Sequence, residues 1–201
     1  MVKPFRYAVA LTGGIATGKS SAAKILTTLG FEIIDADKIA HHILDTQHQK
    51  ITTLFGEGLV QEGKVDRKAL GAIIFAAPSQ RKQLENVLHP LIYEEIEKQA
   101  KVLDAKEEVY FVDIPLFYEG ARYPIDNVLL ICVPRALQLA RLMKRDESKE
   151  AQAQQRIDSQ MSIEEKVKKA RYVIDNSATL TDLEKECKRV ALEIKKDFEW
   201  K

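Results

Sequence analysis

Leu11-Thr-Gly-Gly-Ile-Ala-Thr-Gly-Lys-Ser20 is the stretch on which the reading of this chain turns. Within it, Gly13-Gly14-Ile15-Ala16-Thr17-Gly18-Lys19-Ser20 fits G-x-x-x-x-G-K-[ST], the P-loop pattern. On ordinary residue usage a chain of this length meets the pattern by chance on the order of 1% of the time, so a coincidence is a poor explanation. The context agrees. The apolar run Tyr7–Leu11 precedes it as a strand, and a helical pattern over Ser20–Leu29 follows. Gly13 and Gly18 are expected to take torsions that side chains resist, so that successive N–H groups face an anion. The first turn of the helix adds unpaired N–H groups and a partial positive charge. Gly14, Ile15, Ala16, Thr17 and Ser21 complete the expected phosphate cradle. Lys19 is expected to reach the β- and γ-phosphates, and the Ser20 hydroxyl is a hard oxygen ligand suited to Mg²⁺. A glycine-rich turn with no ligand would need neither Lys19 nor Ser20.

Working outward, short apolar runs at Phe31–Ile34, Val109–Ile114, Val128–Val133 and Tyr172–Ile174 read as further strands. Such runs suit a sheet buried on both faces. Helical patterns fill the gaps, so an α/β fold with a five-stranded parallel sheet and helices on both sides is expected. The stretch 67–103 reads as two or three helices broken near Pro78 and Pro90. Ser162-Ile-Glu-Glu165 and Thr181-Asp-Leu-Glu184 read as capping boxes that open two later helices. Two regions are too long or too charged for simple crossovers. Residues 45–106 are expected to form a helical insertion that binds substrate, and 135–170 a helical lid. The core is then 1–44, 107–134 and 171–201.

Composition bounds the rest. The chain has 201 residues, enough for one core without metal or disulfide staples. Lys and Arg number 31 and Asp and Glu 30, a net charge of +1 that excludes a broad basic coat for nucleic acid. Cys132 and Cys187 have no zinc spacing, and Cys132 reads as a small buried apolar residue. No apolar run is long enough for a membrane span or a signal segment. A cytoplasmic protein is expected, a monomer or a weak homo-oligomer, with small-molecule partners.

The P-loop alone does not say what is done with the nucleotide. A switch GTPase needs D-x-x-G and N-K-x-D, which are missing, and a motor needs more chain. A small kinase remains, acting on an unspecified hydroxyl; a nucleotide-binding regulator with no acceptor is the different class. A kinase needs a carboxylate near its acceptor. Asp35 and Asp37 follow the second strand, where doubly wound sheets bind ligands. Either carboxylate could accept the hydroxyl proton or hold a metal-bound water, and Asp37 could instead cap the following helix. Tyr110–Asp113 resembles a Walker B strand.

The ordered set of segments resembles the dephospho-coenzyme A kinase family. Leu11–Ser20 is followed by Ile34-Asp-Ala-Asp37, then Asp66-Arg67 with Leu70 and Ile74-Phe75. Leu88-His-Pro-Leu-Ile92, Asp113-Ile-Pro-Leu-Phe-Tyr-Glu119 and Val173-Ile-Asp-Asn-Ser177 come next in family order, with Gln138, Arg141, Arg145, Arg156 and Gln160 as a lid pattern. The resemblance implies a P-loop NTPase-like three-layer fold and transfer of the ATP γ-phosphate to the ribose 3′-hydroxyl of dephospho-coenzyme A, with Mg²⁺. It implies Asp35 as general base, with Arg141 and Arg145 as lid cations. Asn176 is expected near adenine. Asp37, Arg67, His89, Pro90, Leu116 and Glu119 become expected substrate residues. His89 could equally be a core or capping histidine, and Glu119 could brace a Lys or Arg. Ala16 and Thr17 stand where the family usually has Gly and Ser, so a Cβ meets a torsion expected at positive φ.

Overall fold

The computed structural model describes residues 4–120 and 122–199, so the outermost ends of the expected core, 1–3 and 200–201, lie outside the described residues. Chain order is β1 (Ala8–Gly13), α1 (Lys19–Thr28), β2 (Ile33–Asp35), α2 (Ala36–Thr46), α3 (His48–Phe55), a 3-10 turn (Glu57–Leu59), β3 (Val60–Gln61) and β4 (Lys64–Val65). It continues with α4 (Arg67–Ala76), α5 (Pro78–Asp104), β5 (Tyr110–Asp113), α6 (Phe117–Gly120), β6 (Asn127–Cys132), α7 (Arg135–Asp146), α8 (Glu150–Asp158), α9 (Ile163–Lys169), β7 (Tyr172–Asp175) and α10 (Leu180–Glu199).

Five strands form one sheet in the order β2-β5-β1-β6-β7. β1 lies at the centre, parallel to β5 and β6, with Leu11 opposite both Asp113 and Leu129. A central strand covered on both faces has no solvent side, which is why every residue of β1 is buried and the run reads as continuously apolar. After β5 the chain crosses to the other side of β1. That reversal opens a crevice at the carboxyl end of β1, where the Gly13–Ser20 loop emerges. One face of the sheet packs Val9, Leu11, Leu129, Ile131 and Ile174 against Ala22 and Leu26 of α1 and Leu183, Cys187, Val190 and Ile194 of α10.

The chain divides into two compact units, 1–34 with 100–201, and 35–99. The second unit therefore begins at Asp35 and ends at Gln99, where 45–106 was expected. Its own core gathers Leu44, Ile51, Leu59, Val65, Leu70, Leu84 and Leu88. It is not wholly helical. β3 and β4 form a hairpin turned by Glu62 and Gly63, both at positive φ (50° and 75°) as a primed two-residue turn requires. Strands this short show no alternation, so the sequence pattern passes over them.

Pro78 and Pro90 behave differently. Pro78 opens α5, where a missing N–H costs nothing. Pro90 lies inside α5 and does not end it, contrary to the expected break. Leu84 and Leu88 before it and Ile92 after it pack on the same core cluster, and these contacts hold the helix across the lost hydrogen bond.

α7, α8 and α9 belong to the first unit. Leu142, Ala153 and Ile157 form a small core there against Ile15 and Ala16 of the loop. The Ser162 box is present, its hydroxyl accepting from Glu165 N at 3.2 Å. The box of α10 is not at Thr181. Thr179 Oγ1 accepts from Asp182 N at 3.3 Å while Thr179 N donates to Asp182 Oδ2 at 3.4 Å, so the helix starts two residues earlier with Asp in the acidic position. Among the described residues no helix is long and apolar enough to cross a membrane.

Candidate active site

The loop between β1 and α1 turns at Gly18, which caps α1 in the left-handed region (φ 88°, ψ 19°). Ala16 also stands at positive φ (60°), so the expected torsion is kept despite its Cβ. For a non-glycine residue the left-handed conformation costs roughly 1–2 kcal/mol. Gly13 does not have positive φ, which corrects the torsional reading of that position. Its need for glycine is steric: a Cβ would come within 2.6 Å of Thr17 Oγ1 and 2.8 Å of Ile131 O. Thr17 is buried and locks the turn by donating its hydroxyl to Gly14 O at 2.9 Å.

Backbone donors are left over by this geometry. The N–H groups of Ala16, Gly18, Lys19 and Ser20 have no hydrogen-bond partner among the described residues. Unpaired amides at a helix start, beside a lysine, make an anion site. Lys19 Nζ is paired with the carboxylate of Asp113 at the end of β5. Ser20 is exposed on the first turn of α1, with Ser21 next to it; Ser21 N donates to Gly18 O at 3.0 Å. No group of three or more His, Cys, Asp or Glu among the described residues could hold a metal ion. Mg²⁺ keeps several waters and takes few protein ligands, so a single hydroxyl can serve it. The exposed Ser20 hydroxyl fits that role.

Side chains from α7, α9 and the ends of α8 and β7 reach the loop. Gln138 Nε2 donates to Ile15 O at 2.8 Å, and Gln160 Oε1 accepts from Ile15 N at 2.9 Å. Asn176 Nδ2 donates to Thr17 O at 2.9 Å. Lys166 is 0% exposed; its Nζ lies 2.8 Å from Glu119 Oε1 and 3.4 Å from Gly13 O. Glu119 Oε1 also accepts from Met161 N at 3.0 Å. Glu119 thus braces a lysine, the second of its two sequence readings. Leu116, between β5 and α6, is 46% exposed. A polar cavity of about 260 Å³ lies beside the loop, lined by Gly14, Gln138, Gln160, Ser162 and Glu165 among others.

The arginines of the expected lid differ from one another. Arg145 binds Asp146 through Nε at 2.7 Å and Nη2 at 3.1 Å, and Arg156 Nη1 pairs with the same carboxylate. The hydrogen bonds from Arg145, then those from Arg156, hold the Asp146 carboxyl well below the usual carboxylate range, and the Arg145 guanidinium is raised in turn. Arg141 is partly buried on α7 with no ion pair among the described residues.

The family model for dephospho-CoA kinase matches residues 7–182. The chain belongs to the dephospho-CoA kinase family. A dephospho-CoA kinase of Wolinella succinogenes is 47% identical over 199 residues, spanning 98% of this chain and 99% of its own length. One of Helicobacter pylori is 48% identical over 187 residues, 92% of this chain and 95% of its own. The solved structure of dephospho-CoA kinase from Campylobacter jejuni superposes with a TM-score of 0.72 at 40% identity, covering 94% of this chain and 98% of that one. The fold is that of the P-loop kinases, and the chain is a kinase of this family.

The remaining residues that a dephospho-CoA kinase resemblance singled out lie in the second compact unit. Asp35 ends β2 and caps α2, its Oδ1 accepting from Lys38 N at 2.9 Å; the cap is Asp35 and not Asp37, which is exposed on the first turn. Arg67 pairs with Asp45 at 2.8 Å and follows the Asp66 cap of α4. His89 is partly buried within α5 and Pro90 is exposed. Lys166 escaped the sequence reading because it sits in a charged run. The only local signal was its spacing from Ile163, which puts both on one helix face.

Proposed function

We propose that this chain is an ATP- and Mg²⁺-dependent dephospho-coenzyme A kinase that makes coenzyme A, the last step of its biosynthesis. The 3′-hydroxyl oxygen of the ribose attacks the γ-phosphorus, the bond to the β,γ-bridging oxygen breaks, and ADP leaves. Asp35 takes the hydroxyl proton. The amides of Ala16, Gly18, Lys19 and Ser20 hold the phosphate oxygens, and Lys19 counters charge that grows on them. Asp113 keeps the Lys19 ammonium ready until phosphate arrives. Ser20 would hold Mg²⁺, which supplies charge neutralisation at the β- and γ-oxygens when bound. Arg141 and Arg145 add positive charge at the transferring group, and Arg145 leaves Asp146 to do so. Arg67, His89 and Leu116 are assigned to the acceptor, and Glu119 acts by bracing Lys166. The enzyme acts in the cytoplasm as a monomer or weak homo-oligomer.

What carries this reading is the row of unpaired loop amides beside Lys19 in a chain of this family. The test is ADP release with a panel of acceptors under excess Mg²⁺. Dephospho-coenzyme A should turn over and nucleosides and nucleoside monophosphates should not. Turnover only with a nucleoside or nucleotide would sink the acceptor assignment.

A further inference from the structure

The carbonyls of Gly13, Ile15 and Thr17 alternate along the loop, and each meets a side chain from later in the chain. Lys166 Nζ lies 3.4 Å from Gly13 O, Gln138 Nε2 2.8 Å from Ile15 O and Asn176 Nδ2 2.9 Å from Thr17 O. All three side chains are buried, at 0%, 4% and 8% exposure. The amides left unpaired belong to Ala16, Gly18, Lys19 and Ser20. Peptide carbonyls and the N–H groups that follow them point in opposite directions. A carbonyl fastened to the protein therefore fixes the next N–H away from it. Fastening Ile15 O orients the N–H of Ala16, and fastening Thr17 O orients that of Gly18.

Two loop glycines match this bracing sterically. A Cβ on Gly14 would come within 2.6 Å of Gln138 Nε2, and one on Gly18 within 2.1 Å of Asn176 Nδ2. Gly14 has no positive φ, so close approach of the amide is its reason to be glycine.

We infer that Gln138 and Asn176, supported by Lys166, are positioning residues that hold the loop carbonyls so that its amides are preset for a polyphosphate, and that Asn176 acts on the loop and not on the adenine base. The inference rests on the kinase reading only in expecting a nucleotide; it concerns polyphosphate binding, which is measured without an acceptor.

Tripolyphosphate separates the two roles of Asn176, because it has the phosphates of ATP and no base. Calorimetry should show Asn176→Ala weakening ATP and tripolyphosphate by the same factor, about tenfold for a lost buried hydrogen bond. In turnover, KM for ATP should rise and KM for the acceptor stay put. Gln138→Met, which keeps length and loses the donor, should weaken tripolyphosphate similarly. Gly14→Ala evicts the same amide, so combining it with Gln138→Ala, which vacates that space, should cost little more than Gln138→Ala alone. A loss confined to ATP would make Asn176 a base-reading residue and overturn the inference. Unchanged binding of both ligands would reduce the contacts to packing and overturn it too. Should Asn176→Ala fail to fold, by circular dichroism, the Gln138→Ala and Gly14→Ala pair decides alone. Wild-type protein that binds tripolyphosphate without phosphorylating dephospho-coenzyme A would count against the function and leave the bracing intact.

Discussion

The Lys19 ammonium rests on the Asp113 carboxylate, joining the first turn of α1 to the end of β5 beside the central strand. Both side chains are mostly buried, at 17% and 12% exposure, so the lysine is held at the end of β5 and is not swung out into solvent. A lysine fixed there meets developing phosphate charge with little reorganisation. Lys19→Met should lower kcat on the order of 10²–10³-fold while circular dichroism stays native. Normal turnover by that variant would remove Lys19 from the chemistry.

Asp35 offers a clean test of the base, because asparagine caps a helix as well as aspartate does. Asp35→Asn should keep α2 and the melting temperature, yet lower kcat by roughly 10²–10⁴-fold. Asp37→Asn, on the exposed first turn, should turn over nearly as wild type. The reverse pattern in kcat would transfer the role to Asp37.

Ala16 and Gly18 both stand at positive φ, but their surroundings differ. Ala16→Gly removes left-handed strain and adds unfolded-state entropy, two terms of about 1 kcal/mol that nearly cancel. Chemical denaturation should find it within about 1 kcal/mol of wild type. Gly18→Ala adds the same strain and drives a Cβ onto Asn176, so it should be clearly less stable. Equal stability of the two variants would contradict the geometry.

Titration separates the ion trio of α7 and α8 from the thiols. Asp146 is held low by Arg145 and then by Arg156, so its contribution is complete above the usual carboxylate range. That contribution is lost progressively as pH falls from the usual carboxylate range through the depressed value. A carboxyl carbon titration by NMR should show Asp146 ionised below the range where ordinary aspartates protonate. Burial pushes the Cys132 thiol, with a smaller push from Asp175, and the Cys187 thiol up to about 11. Neither thiol should react with iodoacetamide at neutral pH in the native protein, as read by intact mass.

Much of this was legible in the sequence, for identifiable reasons. Buried parallel strands are continuous apolar runs, and Ala8–Gly13, Asn127–Cys132 and Tyr172–Asp175 show it within a residue or two. The P-loop is a local motif whose spacing encodes its geometry. What stayed hidden depends on partners distant in sequence. Gln138 and Gln160 meet Ile15 across more than a hundred residues, and nothing local in Asn176 says that it turns to Thr17. Pro90 reads as a helix breaker because what carries its helix, the packing of Leu84 and Leu88 against Leu44, Ile51 and Leu70, is tertiary. The β3–β4 hairpin was missed because two residues are too few to show a period.

The proposed reaction makes one new bond, which phosphorus NMR of the product reads. With ATP, Mg²⁺ and dephospho-coenzyme A, the spectrum should show ADP and a single new phosphomonoester on the ribose 3′-oxygen, indistinguishable from coenzyme A. A phosphate elsewhere on the acceptor, or ADP released into water with the acceptor unchanged, would contradict it.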